Sequence, residues 1–193
     1  PARDALVETQ TRISAIAQIH RRLYTSKDVR RVELDGYLTG LIEELDQTMR
    51  ASGAGIVVRV AADSVVAPTD QAISLGVIVV ELVTNAAKYA YPGETSGEIR
   101  VLLRREDPAR VELVVEDDGV GFDIADTPKG SGLGTRIVRA MAANLKSEIR
   151  YDPAHAGTRA MLGFAIPQES AGSGGDEAPA ALPTPSAPAP PAG

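Results

Sequence analysis

Two glycine-rich segments constrain this chain more than any other feature. The first, Asp117-Asp118-Gly119-Val120-Gly121, follows directly on a strand-like run, and the second, Gly130-Ser131-Gly132-Leu133-Gly134, opens a helical one. Only the eight residues 122–129 lie between Gly121 and Gly130. Glycine accepts positive φ and lets the backbone approach a neighbour closely. Backbone N–H groups at a helix start, backed by the positive end of the helix dipole, suit an anionic phosphate. An Asp at a strand end can accept a hydrogen bond from an exocyclic amine. Each segment alone also has a plain reading, since strands often turn at Asp-Gly and a Gly-Ser-Gly run can be a flexible connection. No G-x-x-x-x-G-K-[ST] pattern occurs, which excludes the P-loop NTPases, and neither segment is a G-x-G-x-x-G fingerprint.

The surrounding pattern is that of an α/β unit. Residues 56–60 are β-branched and strand-like, and Thr69-Asp70 starts a long helix running to about Ala90. Ile99, Val101 and Leu103 alternate, as do Val111, Leu113 and Val115, with Asp107-Pro108 between them, which predicts an antiparallel hairpin. A helix over about 133–145 and two short strands near 148–151 and 158–166 complete the unit. Helices mixed with antiparallel pairs predict an α+β two-layer sandwich rather than a doubly wound parallel sheet.

On the long helix, Glu81, Asn85, Lys88 and Tyr89 stand at i, i+4, i+7 and i+8 and share one face, opposite Val79, Leu82, Val83, Ala86 and Ala90. A carboxylate, a carboxamide and an ammonium on one stripe suit Mg²⁺ and phosphate oxygens. Taken alone, the same stripe reads as the solvated face of an amphipathic helix.

The ends are of different character. Leu6, Ile13 and His20 are spaced by seven, with Ile16 and Leu23 on the adjoining seam, as in a helix that packs one stripe on another helix. A second helix is predicted from about Leu34 to Met49, with Leu38, Leu41, Ile42 and Leu45 apolar, before Ser52-Gly53-Ala54-Gly55. Residues 168–193 are almost wholly Ala, Pro, Gly and Ser and carry no periodic apolar face, so they read as a disordered tail. The expected organisation is thus a helical segment at 1–52, a compact domain at 53–167 and a tail at 168–193.

Composition narrows the chemistry. Twenty Lys and Arg against 26 Asp and Glu give a net charge of −6, a poor balance for binding nucleic acid or an anionic membrane. With no Cys and two His, thiolate chemistry and a His-built zinc site are excluded. No uninterrupted apolar run reaches the roughly 18–20 residues of a bilayer span, no secretory signal pattern opens the chain, and a cytoplasmic setting is expected. The abrupt start in helix-like material reads as part of a longer protein.

Taken in order, Glu-Leu-Val-Thr-Asn-Ala-Ala-Lys-Tyr at 81–89, Val-Glu-Asp-Asp-Gly-Val-Gly-Phe at 115–122 and Gly-Ser-Gly-Leu-Gly-Thr at 130–135 resemble the N, G1 and G2 boxes of the Bergerat-fold ATPases. That superfamily includes gyrase, heat-shock chaperones, mismatch-repair ATPases and histidine kinases. Gly157-Thr158 resembles the Gly-Thr pair that completes its adenine pocket, and the likeness spans about 56–166. The run at 12–29, followed by Tyr37-Leu38, resembles the second dimerisation-helix region of sensor histidine kinases, in the second HisKA-type branch related to the HWE kinases. Lys88-Tyr89 and the absence of Trp depart from the HWE signature, while the short segment 122–129 fits the short ATP lid of this branch.

The resemblance implies ATP and Mg²⁺ as cofactors and assigns roles. Asn85 would hold Mg²⁺, Lys88 would meet phosphate, and Asp117 the adenine amine. Gly119 and Gly121 would shape the pocket floor, and Gly130, Gly132, Leu133 and Gly134 would wrap the triphosphate. Thr158 would complete the adenine pocket. Glu81 matches the acid that activates water in related ATPases, and in a kinase it would support Mg²⁺ or Asn85. The implied function is transfer of the ATP γ-phosphoryl to a histidine, with a response regulator or phosphotransfer protein as partner and a homodimer formed through the helical segment. The family's acceptor His stands on a first dimerisation helix with a basic residue and an Asn-rich run after it, and no such segment occurs here. His20 reads as a core residue of its seam and His155 as a plain surface residue in the turn before Gly157. The rival readings are an anti-sigma-factor type serine kinase, which shares the boxes, and a non-catalytic phosphotransfer scaffold, which would have lost some of them.

Overall fold

The computed structural model describes residues 30–51, 55–93, 96–121 and 132–167. The first helical stripe with His20, the residues between the two glycine segments, Gly130 and the tail lie outside these.

The chain enters through β1 (Arg31–Glu33), followed by α1 (Leu34–Ala51), β2 (Ile56–Ala62), β3 (Val66–Pro68) and α2 (Thr69–Tyr89). Then come β4 (Gly97–Arg105), β5 (Arg110–Asp117), α3 (Leu133–Asn144), β6 (Arg150–Tyr151) and β7 (Arg159–Ala165). Five strands form one sheet in the order β2-β4-β5-β7-β6, and β1 pairs with β3 in a small separate ribbon. The expected hairpin is present, with Leu103 opposite Leu113 and Val101 opposite Val115. Its turn is fastened by Asp107, whose Oδ1 accepts from the Ala109 and Arg110 N–H groups at 2.7 and 2.8 Å. The closing pair β6–β7 is antiparallel as anticipated.

Alternation sorts the strands into two faces. Ile99, Val101, Leu103, Val111, Leu113, Val115, Leu162 and Phe164 turn inward into one core with the helices. The α+β two-layer arrangement therefore stands, with one addition. Strands β2 and β4 are parallel, Val58 opposite Ile99 and Val60 opposite Val101, and α2 lies in the connection between them. The separation between the two strands along the chain hides this pairing, because a parallel neighbour carries no hairpin turn to announce it.

Helix α1 belongs to the same core. Leu34, Leu38, Leu41 and Ile42 are each at most 2% exposed and share the cluster with Leu75 and Ile78 of α2. The helix packs on β2, where the Asp46 carboxylate accepts from the Val58 N–H at 3.1 Å, a donor on the sheet's edge strand. Two further bonds lock the entry: Leu34 N–H donates to the Val65 carbonyl at 2.8 Å, and Thr69 N–H to the Arg30 carbonyl at 3.2 Å. The part of the expected 1–52 helical segment from Arg30 onward thus packs with the sheet. Helix α2 satisfies the length and apolarity of a membrane span by composition, yet its buried residues, among them Leu75, Ile78, Val79 and Val83, face the sheet core.

This placement is testable. Leu38→Ala is expected to destabilise the whole domain by about 2–5 kcal/mol, the cost of emptying a fully buried leucine site. It should do so in one cooperative unfolding transition. A loss below about 1 kcal/mol, outside the range for such a site, would mean that α1 is not part of the core.

Candidate nucleotide site

Three backbone segments converge at the end of β5. The C-terminal end of α2 supplies Ala90, whose carbonyl accepts from the Val120 N–H at 2.8 Å. A side chain at Gly119 would collide with that same carbonyl, so the turn can lie against the helix end only as glycine. From the other side, a Cβ at Gly157 would collide with the Asp117 carbonyl oxygen, and one at Gly121 (φ 67°) would stand 3.2 Å from the Gly157 carbonyl. The first glycine-rich segment, Asp117 to Gly121, is thereby clamped between α2 and the β6–β7 loop.

Asp117 is 2% exposed and fixed at several points. Its N–H donates to the Thr158 carbonyl at 2.9 Å. Its Oδ1 accepts from Gly119 N–H at 3.0 Å and from Thr158 N–H at 3.2 Å. Two main-chain donors on one oxygen fix the rotamer and hold the carboxylate as an acceptor. Thr158 thus contributes through its backbone, on a loop that only Gly157 could bring so close.

Of the residues expected on α2, the polar stripe is graded by depth. Glu81 is 3% exposed, Asn85 is half-buried, and Lys88 and Tyr89 are exposed. The stripe is therefore not a uniformly solvated face: Glu81 sits among the core positions of α2, and Leu82, assigned to the opposite face, is only half-buried. Lys88 lies in the last turn of the helix, where a cation suits the dipole. Helix α3 packs against α2. It starts as expected at Leu133, with Gly132 as N-cap at φ 67°, no side-chain cap and no acid in its first turn. Gly134 is buried, whereas Leu133 is 43% exposed. This leaves the positive end of α3 suited to an anion. Gly130 lies outside the described residues.

Sequence reasoning passed over four contributors. Tyr91 places its hydroxyl where it donates to the Glu98 carbonyl at 2.6 Å and accepts from the N–H groups of Glu98 and Asp118, each at 3.2 Å. Burial pushes this hydroxyl above its ordinary range, so it stays protonated. The Tyr91 ring occupies the space of a Gly97 side chain. His155 is not a plain surface residue: its side chain is 12% exposed and Nε2 lies 2.9 Å from the Asp117 carbonyl oxygen. Arg100 and Arg159 grip Glu116, the residue before Asp117, through Oε1 at 2.7 Å and Oε2 at 2.6 Å. Arg100 also binds Asp118 bidentately, at 2.7 Å to each oxygen. The only signal for the two arginines in the sequence was opposite charge on strands, visible once the register is known, since Arg100 faces Glu116 and Glu116 faces Arg159.

The comparisons with known proteins agree with this geometry. Residues 70–170 match the family of histidine kinase-, DNA gyrase B-, and HSP90-like ATPases, and residues 1–49 match a histidine kinase family. Blue-light-activated histidine kinase 2 of Erythrobacter litoralis is 31% identical over 139 residues, covering 72% of this chain and 40% of that protein. Sensor histidine kinase PdtaS of Mycobacterium tuberculosis is 32% identical over 150 residues, covering 73% of this chain and 28% of that protein. The chain therefore spans less than half the length of these relatives. Among solved structures, the histidine kinase domain of the Erythrobacter litoralis EL346 blue-light-activated histidine kinase superposes with a TM-score of 0.69 at 25% identity, covering 81% of this chain and 74% of that one. The chain belongs to the histidine kinase-, DNA gyrase B-, and HSP90-like ATPase family. Within it, the ATPase domain is of the sensor histidine kinase kind.

The pair of guanidiniums around Glu116 makes a pH-dependent contribution. Burial (7% exposed) pushes its carboxyl up, and hydrogen bonds from Arg100 and Arg159 outweigh this and bring it below the ordinary value of 4.5. A value lower in the folded chain than in the unfolded one gives stability that is present above the unfolded value and lost as pH falls through the folded one. Glu116→Gln is expected to cost about 1–2 kcal/mol at pH 7, the lower part of the charged hydrogen-bond range because Arg159 is partly solvated. Denaturant melts should show the gap between variant and wild type closing at acid pH. A gap that persists unchanged there would contradict the ion-pair account.

Proposed function

We propose that this chain binds Mg-ATP at the end of β5 and presents the γ-phosphoryl to a histidine, as the catalytic part of a sensor histidine kinase. The observation that carries the reading is the fixed carboxylate of Asp117, buried and aligned by main-chain donors at a strand end that Gly119 and Gly121 let pack closely between α2 and the β6–β7 loop. In that role Asp117 accepts a hydrogen bond from the adenine amine. Asn85, half-buried one helical turn from Glu81, offers a hard oxygen to Mg²⁺, and Glu81 supports it from the core side. Among the described residues no cluster of three His, Cys, Asp or Glu exists. Mg²⁺ takes one or two protein ligands and completes its shell with water and phosphate. Bound there, Mg²⁺ neutralises phosphate charge. Lys88 meets phosphate from the exposed end of α2, and Gly132, Leu133 and Gly134 offer backbone N–H groups at the start of α3; the expected role of Gly130 lies outside the described residues. Phosphoryl transfer needs little more than such positioning and charge neutralisation. The match of residues 1–49 to a histidine kinase family favours transfer to histidine over the serine-kinase alternative. A homodimer formed through the helical segment, a response regulator or phosphotransfer protein as the next acceptor, and a cytoplasmic setting that supplies ATP complete the reading.

Two experiments bear on it. By calorimetry, Asn85→Ala should weaken Mg-ATP far more than metal-free nucleotide, and Asp117→Asn should weaken ATP and ADP alike. The expected loss at Asp117 is roughly 10–150-fold, equivalent to about 1.5–3 kcal/mol. If both variants bind like wild type, the site is elsewhere.

The second concerns the acceptor. His155 Nε2 is held against the Asp117 carbonyl, and the seven-residue spacing of Leu6, Ile13 and His20 predicts an apolar helix seam for His20. The chain should therefore bind ATP without labelling itself from γ-labelled ATP. An alkali-stable, acid-labile label that disappears in His20→Gln would make His20 the acceptor and overturn this expectation.

A further inference from the structure

We propose that His155 is a positioning residue for base selection: it holds the peptide that carries the Asp117 carboxylate, and so sets how well the site distinguishes a 6-aminopurine from a 6-oxopurine. The inference rests on the reading that Asp117 receives the adenine amine.

The geometry is that of a peptide group held at both edges. Strand β5 ends at Asp117, so the Asp117–Asp118 peptide is the first beyond the strand. Its carbonyl oxygen lies 2.9 Å from His155 Nε2, and because a carbonyl can only accept, Nε2 carries the hydrogen. Its N–H, on the opposite edge, donates to the Tyr91 hydroxyl at 3.2 Å. Rotation of this peptide would displace the chain beyond Asp117, and with it the Gly119 N–H that fixes the direction of the carboxylate.

The loop is built to deliver His155 to that oxygen. Asp152 opens it, with Oδ1 accepting from Ala154 N–H at 2.9 Å and its carbonyl accepting from His155 N–H at 3.3 Å. Arg159 closes it, reaching Asp152 at 3.4 Å and Glu116 at 2.6 Å. Gly157 then lies directly on the same Asp117 carbonyl, where no side chain fits. The neighbouring Asp118 carboxylate stands 3.9 Å from Nε2, but Arg100 already engages both of its oxygens. The main-chain carbonyl is therefore the nearer partner of the ring.

The test compares dissociation constants of ADP and IDP for wild type, His155→Asn, His155→Gln and Asp117→Asn. Gln places its amide nitrogen near the position of Nε2, whereas Asn falls one methylene short. His155→Asn is expected to weaken ADP by about three- to tenfold, the worth of one hydrogen bond, with a smaller change for IDP, so the ADP/IDP preference narrows. His155→Gln should return ADP affinity to within about twofold of wild type, because it restores the same donor. A wild-type ADP/IDP preference in His155→Asn, or a Gln variant as impaired as the Asn variant, would overturn the proposal. Asp117→Asn separates the two levels. If it collapses the preference while His155→Asn does not, His155 alone is misassigned. If Asp117→Asn leaves the preference intact, the adenine reading fails and the role of His155 fails with it.

Discussion

The close backbone contacts around Asp117 are what the site depends on. A helix end, a strand end and a loop meet there, and each contact is made by main chain because the residues at the crossing are glycines: Gly119 against Ala90 and Gly157 against Asp117. Contacts of this kind leave no room for a side chain to adjust. They fix the relative heights of α2, β5 and the β6–β7 loop to within the tolerance of a hydrogen bond. The Asp117 carboxylate inherits its direction from them, since its two donors are the N–H groups of Gly119 and Thr158, the residues beside those crossings.

The charged face of the sheet serves the same end. Outward-facing Arg59, Glu98, Arg100, Glu116 and Arg159 form a ladder across β2, β4, β5 and β7, continued by Asp152. Exposed members of such a ladder contribute little each. The central one, Glu116, is buried and holds two guanidiniums, so it ties the neighbouring strands together one residue before Asp117. Arg59, Arg100 and Arg159 gather here in a chain of net charge −6, so a net charge read from composition says little about the local field at the site.

Much of this was legible beforehand, for physical reasons that also explain what was missed. Period-two alternation in 99–103 and 111–115, and the glycine and Asp-Pro punctuation around them, report local geometry, so the hairpin and the start of α3 could be read directly. The order of the three boxes fixed the fold class. The depth of Glu81 was not legible, because a carboxylate on a helix stripe is usually exposed, and only the packing of α2 between sheet and α3 buries it. The β1–β3 ribbon and the parallel β2–β4 pair were missed because three-residue strands and distant parallel partners leave no local periodicity. His155 and Tyr91 were missed because each acts on a backbone group of a residue remote in sequence, 38 and 27 positions away. The membership of α1 in the core was likewise invisible: an apolar stripe states that a helix packs, but not on what.

The two ends of the site differ in how they are built, and the difference follows from the course of α2. At the proposed adenine end, Asp117 is buried and held by the backbone of its neighbours. Along α2 the burial relaxes, from Glu81 in the core through half-buried Asn85 to exposed Lys88 and Tyr89. At the start of α3 the exposed Leu133 follows an N-cap glycine with positive φ. A buried, backbone-held end grading into a solvated one suits the proposed ligand, which must be recognised at its base and handed on at its phosphate. The base needs a fixed acceptor, because a hydrogen bond discriminates only when its partner cannot move to accommodate the wrong one. In the proposed kinase the terminal phosphate has to remain reachable by an acceptor side chain. Burying it equally well would stabilise the bound nucleotide without helping the transfer.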